Sequence, residues 1–177
     1  MRPTRVRRTR CWAPMFVFSL GAGLASGAVP SLFGQGAPPK KVAASLTRLF
    51  GSGTIVDSLP VDSNLVLRVS RADSVLGFAV VRNVIGKDQP ITFLVATDPA
   101  DHLKDVDVLV YREPYGGEVA YDAWRKQFRG KTANEPLRVD QDIRSISGAT
   151  ISVNAVTAGV RTALQDLTRW HQEGRIK

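Results

Sequence analysis

Four apolar segments follow one another between residues 65 and 111, and only short turns separate them. The segments are residues 65–70, 75–84, 91–97 and 106–111. The turns are rich in Gly, Asp, Ser and Pro, the residue types that favour chain reversal. Parallel strands need a crossover of about a dozen residues or more, and these turns are too short to provide one. The sequence therefore predicts an antiparallel, meander-like sheet in which each strand pairs with the next.

Three segments with helical spacing of apolar residues flank these strands. Residues 42–50 precede them, and residues 121–128 and 151–170 follow them. The last segment places its Val, Leu and Ala side chains on one stripe, which is typical of an amphipathic helix packed on a core. We therefore expect an α+β fold, with the antiparallel sheet packed against helices in a single domain of residues 40–177.

The first 39 residues differ in composition from the rest of the chain. Five arginines lie within the first ten residues, and no charged residue follows Arg10 until Lys40. A cationic start before an apolar stretch is typical of a secretory signal peptide. The apolar residues 13–33, at about 1.5 Å per residue, would also nearly cross a hydrocarbon core of ~30 Å. Residues 1–39 are thus predicted to be a signal peptide or a membrane anchor followed by a linker. Either one places the domain outside the cytoplasm, in the periplasm or on the outer face of the cytoplasmic membrane.

The net charge of +8 does not indicate a nucleic-acid-binding protein. Five of the 24 basic residues lie in the first ten positions, which leaves 19 basic and 16 acidic residues in the rest of the chain. A nucleic-acid footprint should be basic in the folded domain itself, so we predict no nucleic-acid partner. One cysteine and two histidines make a Cys or His metal centre an unsuitable expectation, and no catalytic set of residues stands out.

The segment Ser147–Gly148–Ala149–Thr150 precedes the strongest predicted helix and is followed by Ser152. The start of a helix offers unpaired N–H groups and the positive end of the helix dipole, which together favour an anion such as phosphate. An ordinary N-cap is the alternative, with the hydroxyl of Thr150 or Ser152 satisfying the N–H groups of the first turn. The residues alone leave both interpretations open.

Several segments in the same order resemble the FMN-binding domain family of NqrC and RnfG, subunits of ion-pumping redox complexes, and the related stand-alone extracytoplasmic flavoproteins. The sequence ISGATISVNAVTAGV around Thr150 is similar to the S-G-A-T signature of that family. The loop EPYGG at residues 113–117 resembles the E-T-P-G-like turn, and residues 124–131 resemble the end of the helix that follows it. The early LTRLFG resembles the short helix that opens the domain, so the likeness extends from about Lys41 to the C-terminus.

This resemblance implies FMN bound covalently, with the Thr150 hydroxyl joined to the FMN phosphate through a phosphoester. A Mg2+-dependent flavin transferase of the ApbE type would install the group from FAD and release AMP. The cofactor-binding residues implied beside Thr150 are Ser147, Gly148, Ala149, Glu113, Tyr115, Gly116 and Gly117. The implied function is extracytoplasmic electron transfer with a redox partner that the sequence does not identify, with membrane electron-transport subunits as candidates.

Two positions depart from the family pattern. Arg144 stands six positions before Thr150, where the family usually has an aspartate, and Asp142 lies two residues further back. We hypothesise that Arg144 lies near the phosphate or ring of FMN and stabilises a reduced anionic flavin. The loop at residues 113–117 lacks the threonine of the family turn, and Tyr115 could lie against the isoalloxazine ring instead. Trp124 is interpreted as a core residue rather than a flavin contact.

Two other functions remain compatible with the sequence. An exported binding module could recognise a partner or a small anion through the same turn without any flavin. A flavin-dependent reductase would need a substrate cavity beside the ring, and no set of polar residues for one stands out. We favour a redox carrier or subunit over a stand-alone enzyme, because the cofactor supplies the chemistry and the protein supplies attachment and electrostatics.

Overall fold

The computed structural model describes residues 39–177. The predicted signal or anchor falls on residues that lie outside this range. Three helices and five strands make up the described chain. They are α1 (Pro39–Phe50), β1 (Ile55–Val61), β2 (Asn64–Arg71), β3 (Ser74–Ile85), β4 (Pro90–Thr97), β5 (Leu103–Val110), α2 (Asp122–Arg125) and α3 (Thr150–Gln172), with 3-10 turns at Gly117–Ala120 and Lys126–Phe128.

The five strands form one antiparallel sheet in chain order, β1-β2-β3-β4-β5. This arrangement confirms the α+β class and the predicted pairing of consecutive strands. Both faces of the sheet are covered, and β4 is buried at every position from Ile91 to Thr97. Helix α3 packs on one face, where it shares a core with Phe78, Phe93 and Val95. Helix α1 packs on the other face through Val42, Leu46 and Phe50.

The apolar pattern of the sequence predicts four strands and misses β1. This strand reads IVDSLPV, and its polar residues and Pro60 hide the alternation that marks the other strands. It pairs with β2 on one side only, and most of its residues are exposed or half-buried. Proline is compatible with an edge strand because no neighbour needs its missing N–H group on the free side. The amphipathic pattern is weak for the same reason, since an edge strand buries little side-chain area.

The segment predicted as a helix over residues 121–128 is broken into short pieces. Tyr121 has an extended backbone with φ −75° and ψ 138°, which separates the 3-10 turn at Gly117–Ala120 from α2. Trp124 and Phe128 nevertheless lie in the main core, with their rings edge to face at 5.1 Å. The assignment of Trp124 to the core is therefore confirmed, while the continuous helix is wrong.

A buried carboxylate joins α1, β5 and the short helical pieces. The side chain of Asp105 on β5 is 2% exposed, and its Oδ2 lies 3.1 Å from Arg48, 3.3 Å from Arg125 and 3.2 Å from Arg129. Asp107 contributes a second carboxylate within 3.1 Å of Arg48. Three guanidinium groups from two parts of the chain thus share the acids of one strand, which fixes α2 against β5.

Among the described residues, no helix combines the length and the apolar character that crossing a membrane requires.

Replacement of Asp105 by asparagine should destabilise the fold strongly. The variant leaves the buried Arg125 without its main counter-ion, and removal of one partner from a buried ion pair costs about 3 kcal/mol or more. Asp122→Asn serves as the matched control, because that side chain is 60% exposed and its pairing with Arg129 is worth at most about 1 kcal/mol. Urea unfolding followed by circular dichroism would measure both variants. Equal unfolding midpoints would contradict the role assigned to Asp105.

Candidate functional site

A cavity of about 310 Å³ lies at the start of α3. Three segments line it: the turn between β3 and β4, the loop after β5, and the first turn of α3 with the residues before it. The lining residues are Lys87, Asp88, Glu113, Pro114, Tyr115, Gly148, Ala149, Thr150, Ile151 and Ser152. The antiparallel register explains this meeting of distant segments, because Thr92 near the start of β4 pairs with Val110 at the end of β5.

The start of α3 has no side-chain cap. Ala149 occupies the N-cap position, and no side chain accepts a hydrogen bond from the first turn. The N–H groups of Thr150, Ile151 and Ser152 precede the first residue with an intrahelical partner, Val153, which donates to the Ala149 carbonyl over 2.9 Å. The structure therefore does not use Thr150 or Ser152 as an ordinary N-cap. The exposed Thr150 side chain lines the cavity instead.

The backbone before Thr150 turns sharply at Gly148, which has φ +80°. An L side chain rarely adopts this left-handed conformation, whereas glycine does so without strain. A side chain at this position would meet no atom within 4 Å, so the backbone faces open space beside Thr150. The turn is closed by the Ala149 N–H group, which donates to the Ile146 carbonyl over 3.1 Å.

A tyrosine that the sequence pattern does not single out connects the loop to α3. The Tyr111 hydroxyl donates to the Tyr115 carbonyl and lies 2.8 Å from the Ser152 hydroxyl. Gly116, with φ +86°, packs directly behind this contact, and a Cβ there would lie 2.7 Å from the Tyr111 oxygen and 2.9 Å from that of Ser152. Glycine at residue 116 therefore lets the loop approach the first turn of α3.

Glu113 holds the loop to the turn between β3 and β4. Its Oε1 accepts hydrogen bonds from the backbone N–H groups of Asp88 at 2.7 Å and Gln89 at 2.8 Å. The N–H groups of Gln89 and Asp88 hold the pKa of Glu113 below its ordinary value. The carboxylate is thus charged at neutral pH and is occupied by the protein's own backbone.

The segment before Gly148 is held by α2 and the 3-10 turn after it. The Trp124 indole N–H group donates to the Arg144 carbonyl over 2.8 Å, and the Arg144 N–H group donates to Gln127 Oε1 over 2.8 Å. The Arg144 side chain borders a different, larger groove of about 590 Å³ together with Tyr121 and Trp124. Arg144 is therefore not among the residues that line the cavity at Thr150, which removes the geometric support for its predicted contact with the phosphate.

Asp142 does not replace the missing acid either. Its carboxylate accepts hydrogen bonds from the N–H groups of Leu137 and Arg138 and from the Lys131 ammonium. Burial on its own would raise the pKa of Asp142, but the Arg138 N–H group and Lys131 outweigh this effect and lower it. Asp142 is committed to the loop in which it lies.

The structure brings five of the eight residues selected from the sequence to one cavity: Glu113, Tyr115, Gly148, Ala149 and Thr150. Gly116 lies behind the loop, while Ser147 and Gly117 are not among the lining residues. Tyr115 is 81% exposed and Ile151 is 52% exposed, so the mouth of the cavity carries apolar surface. Within residues 39–177, no cluster of three His, Cys, Asp or Glu side chains could hold a metal ion.

Comparison with known proteins identifies the segment that contains this cavity. Residues 86–165 match the family model described as FMN-binding domain. The chain is also 29% identical over 106 residues to the RnfG subunit of the proton-translocating ferredoxin:NAD(+) oxidoreductase complex of Clostridium ljungdahlii. This alignment covers 55% of the chain and 57% of that relative. All the residues lining the cavity fall within residues 86–165, and the chain therefore carries an FMN-binding domain of the NqrC/RnfG-like family.

Proposed function

We propose that the chain is an extracytoplasmic electron-transfer flavoprotein whose FMN is attached through a phosphoester to Thr150. One observation carries the proposal: the exposed Thr150 side chain stands on an uncapped helix start and lines a cavity within the FMN-binding segment. A hydroxyl in this position is accessible to a modifying enzyme, and a group attached to it would extend directly into or over the cavity.

The residues around Thr150 fit a phosphodiester. The uncapped N–H groups of the first turn of α3 and the positive end of its dipole favour a negative charge. The Lys87 side chain lines the same cavity and adds a positive charge. Gly148 contributes no side chain that would obstruct an incoming phosphorus centre. The charge of the attached phosphate would therefore be stabilised by the protein rather than by solvent alone.

The attachment reaction needs a donor and a second enzyme. In the proposed step, the Thr150 oxygen attacks the FMN-side phosphorus of FAD and forms a new P–O bond. The bond between that phosphorus and the bridging oxygen breaks, AMP leaves with the bridging oxygen, and the hydroxyl proton passes to a base of the transferase. A Mg2+-dependent transferase of the ApbE type fits this chemistry. The protein itself contributes only the accessible hydroxyl.

Bound FMN would supply redox chemistry that no side chain of the described residues offers. The exposed Tyr115 and Ile151 offer apolar contact at the cavity mouth, and Tyr111 and Glu113 hold the loop that carries Tyr115. The volume of about 310 Å³ is at the lower end of the ~300–1,000 Å³ typical of ligand sites, which leaves little room for a second molecule. A carrier that passes electrons is favoured over a reductase with its own substrate for this reason.

The likeness to a component of an oxidoreductase complex supports a role beside other redox proteins. The arginine-rich, then apolar, first 39 residues support export or anchoring at the membrane. The proposed location is therefore the periplasm or the outer face of the cytoplasmic membrane, with a membrane electron-transport subunit as the redox partner.

Production of the chain together with an ApbE-type transferase and FAD should give a yellow protein. Mass spectrometry should find FMN less one water on the peptide that contains Thr150. Thr150→Val should abolish the addition because the nucleophilic oxygen is gone, whereas Thr150→Ser retains a hydroxyl and should keep part of it. Thr162→Val is the matched control, because Thr162 is an exposed threonine further along α3. A colourless protein, or a flavin on another peptide, would refute the proposed linkage.

The loop that carries Tyr115 should loosen in acid. The pKa of Glu113 is lowered in the folded state, so its contact with the turn is fully present above the ordinary value of 4.5 and is lost as the pH falls through the folded value below it. Hydrogen exchange of the Asp88 and Gln89 amides should therefore accelerate at low pH relative to the intrinsic rate. Glu113→Gln should show the faster exchange already at pH 7. A pH-independent protection factor in the wild-type protein would contradict this role.

A further inference from the structure

Four of the arginines in the described chain have no side-chain partner within it. Of the twelve arginines in residues 39–177, seven pair with carboxylates. Arg71 donates instead to the carbonyls of Phe50 and Ser52. The remaining four are Arg112, Arg138, Arg144 and Arg161. Two of them, Arg138 and Arg161, line one and the same cavity.

This second cavity, of about 270 Å³, lies between α3 and the loop before it. Its lining residues are Leu137, Arg138, Val139, Asn154, Thr157, Ala158 and Arg161. It shares none of these with the cavity at Thr150, and no Asp or Glu is among them. Two guanidinium groups that border one space without an acid repel each other, and an anion between them would relieve the repulsion.

The loop side of this cavity is rigid before any ligand arrives. The Asp142 carboxylate accepts hydrogen bonds from the N–H groups of Leu137 at 3.1 Å and Arg138 at 2.7 Å. The Leu137 side chain is buried, and its backbone has φ +45°, a conformation that a branched side chain rarely adopts. The position of the Arg138 backbone is thus fixed by the protein, which lowers the cost of ordering it on binding.

Thr157 supplies an independent sign that the cavity receives a polar ligand. The residue is 2% exposed, and its Oγ1 has no hydrogen-bond partner. Burial of an unpaired hydroxyl is unfavourable. Threonine in a helix has two accessible χ1 rotamers, so a rotation would turn the sealed hydroxyl toward a molecule in the cavity. Asn154, one turn earlier on α3, adds a side-chain amide at the same border.

We propose that this cavity is a binding site for a phosphate group, either inorganic phosphate or the phosphate of a small monoester. Two guanidinium groups match the charge of a phosphate dianion, and each can donate two parallel N–H bonds to its oxygens. Asn154 and Thr157 provide further donors. The site is separate from the proposed attachment of FMN and does not depend on it.

The test is a titration of the purified chain with inorganic phosphate at constant ionic strength, followed by NMR. Saturable shifts should appear at the amides of residues 137–139 and at the Asn154 side chain. Arg138→Gln and Arg161→Gln should each weaken binding at least about tenfold, since each removes charge-assisted hydrogen bonds. Arg112→Gln should leave the affinity unchanged, because that arginine also lacks a side-chain partner but does not line the cavity. Equal affinities in all four proteins, or shifts confined to residues 150–152, would overturn the proposal.

Two further arms sharpen the result. Acetate should bind more weakly than phosphate, and an equal or tighter affinity for acetate would overturn the assignment to a dianion. A monoester such as glycerol phosphate that binds as tightly as inorganic phosphate extends the site to monoesters, whereas binding of the monoester at residues 150–152 alone counts against it. Thr157→Val should raise the melting temperature by removing a buried unpaired hydroxyl, and it should still reduce phosphate affinity severalfold. An unchanged affinity in that variant would exclude the hydroxyl from the site.

Discussion

The arrangement around the functional cavity depends on one buried acid, Asp105. Its carboxylate binds Arg125 and Arg129 and thereby fixes the short helical pieces against β5. Those pieces in turn hold the backbone of Arg144 through Trp124 and Gln127. The chain then has only a few residues before Gly148 and Thr150. An ion pair in the core thus determines, through a short series of hydrogen bonds, where the attachment hydroxyl stands.

Antiparallel order brings the other half of the site into place. The turn that follows β3 and the loop that follows β5 lie at the same end of the sheet because β4 runs between them in the opposite direction. Glu113 and Tyr111 then connect the loop to the turn on one side and to α3 on the other. Each connection uses a side chain of the loop region and a group that is distant in sequence. The cavity is therefore a product of the sheet topology and needs no dedicated subdomain.

How much of the molecule is predictable from its sequence follows the range of the interactions involved. Periodicity within a segment predicts α1, α3 and strands β2 to β5, because burial repeats at each turn or at every second residue. It misses β1, where one-sided pairing leaves little to repeat, and it joins α2 to its neighbours although Tyr121 is extended. The cluster of small and hydroxyl residues before α3 identifies Thr150. The contacts of Tyr111 and Asp142 join side chains to distant or irregular backbone, and no local spacing records them.

The direction of α1 has a consequence for how the domain is presented. Lys41, near its first residue, donates to the Leu109 carbonyl at the end of β5, whereas Arg48, near its last, reaches Asp105 at the opposite end of that strand. The helix therefore begins at the end of the sheet that carries Thr150, on the other face. A tether that runs from α1 to a lipid bilayer would draw this end toward the bilayer. The attachment site would then face redox partners embedded in the membrane rather than those diffusing beyond it.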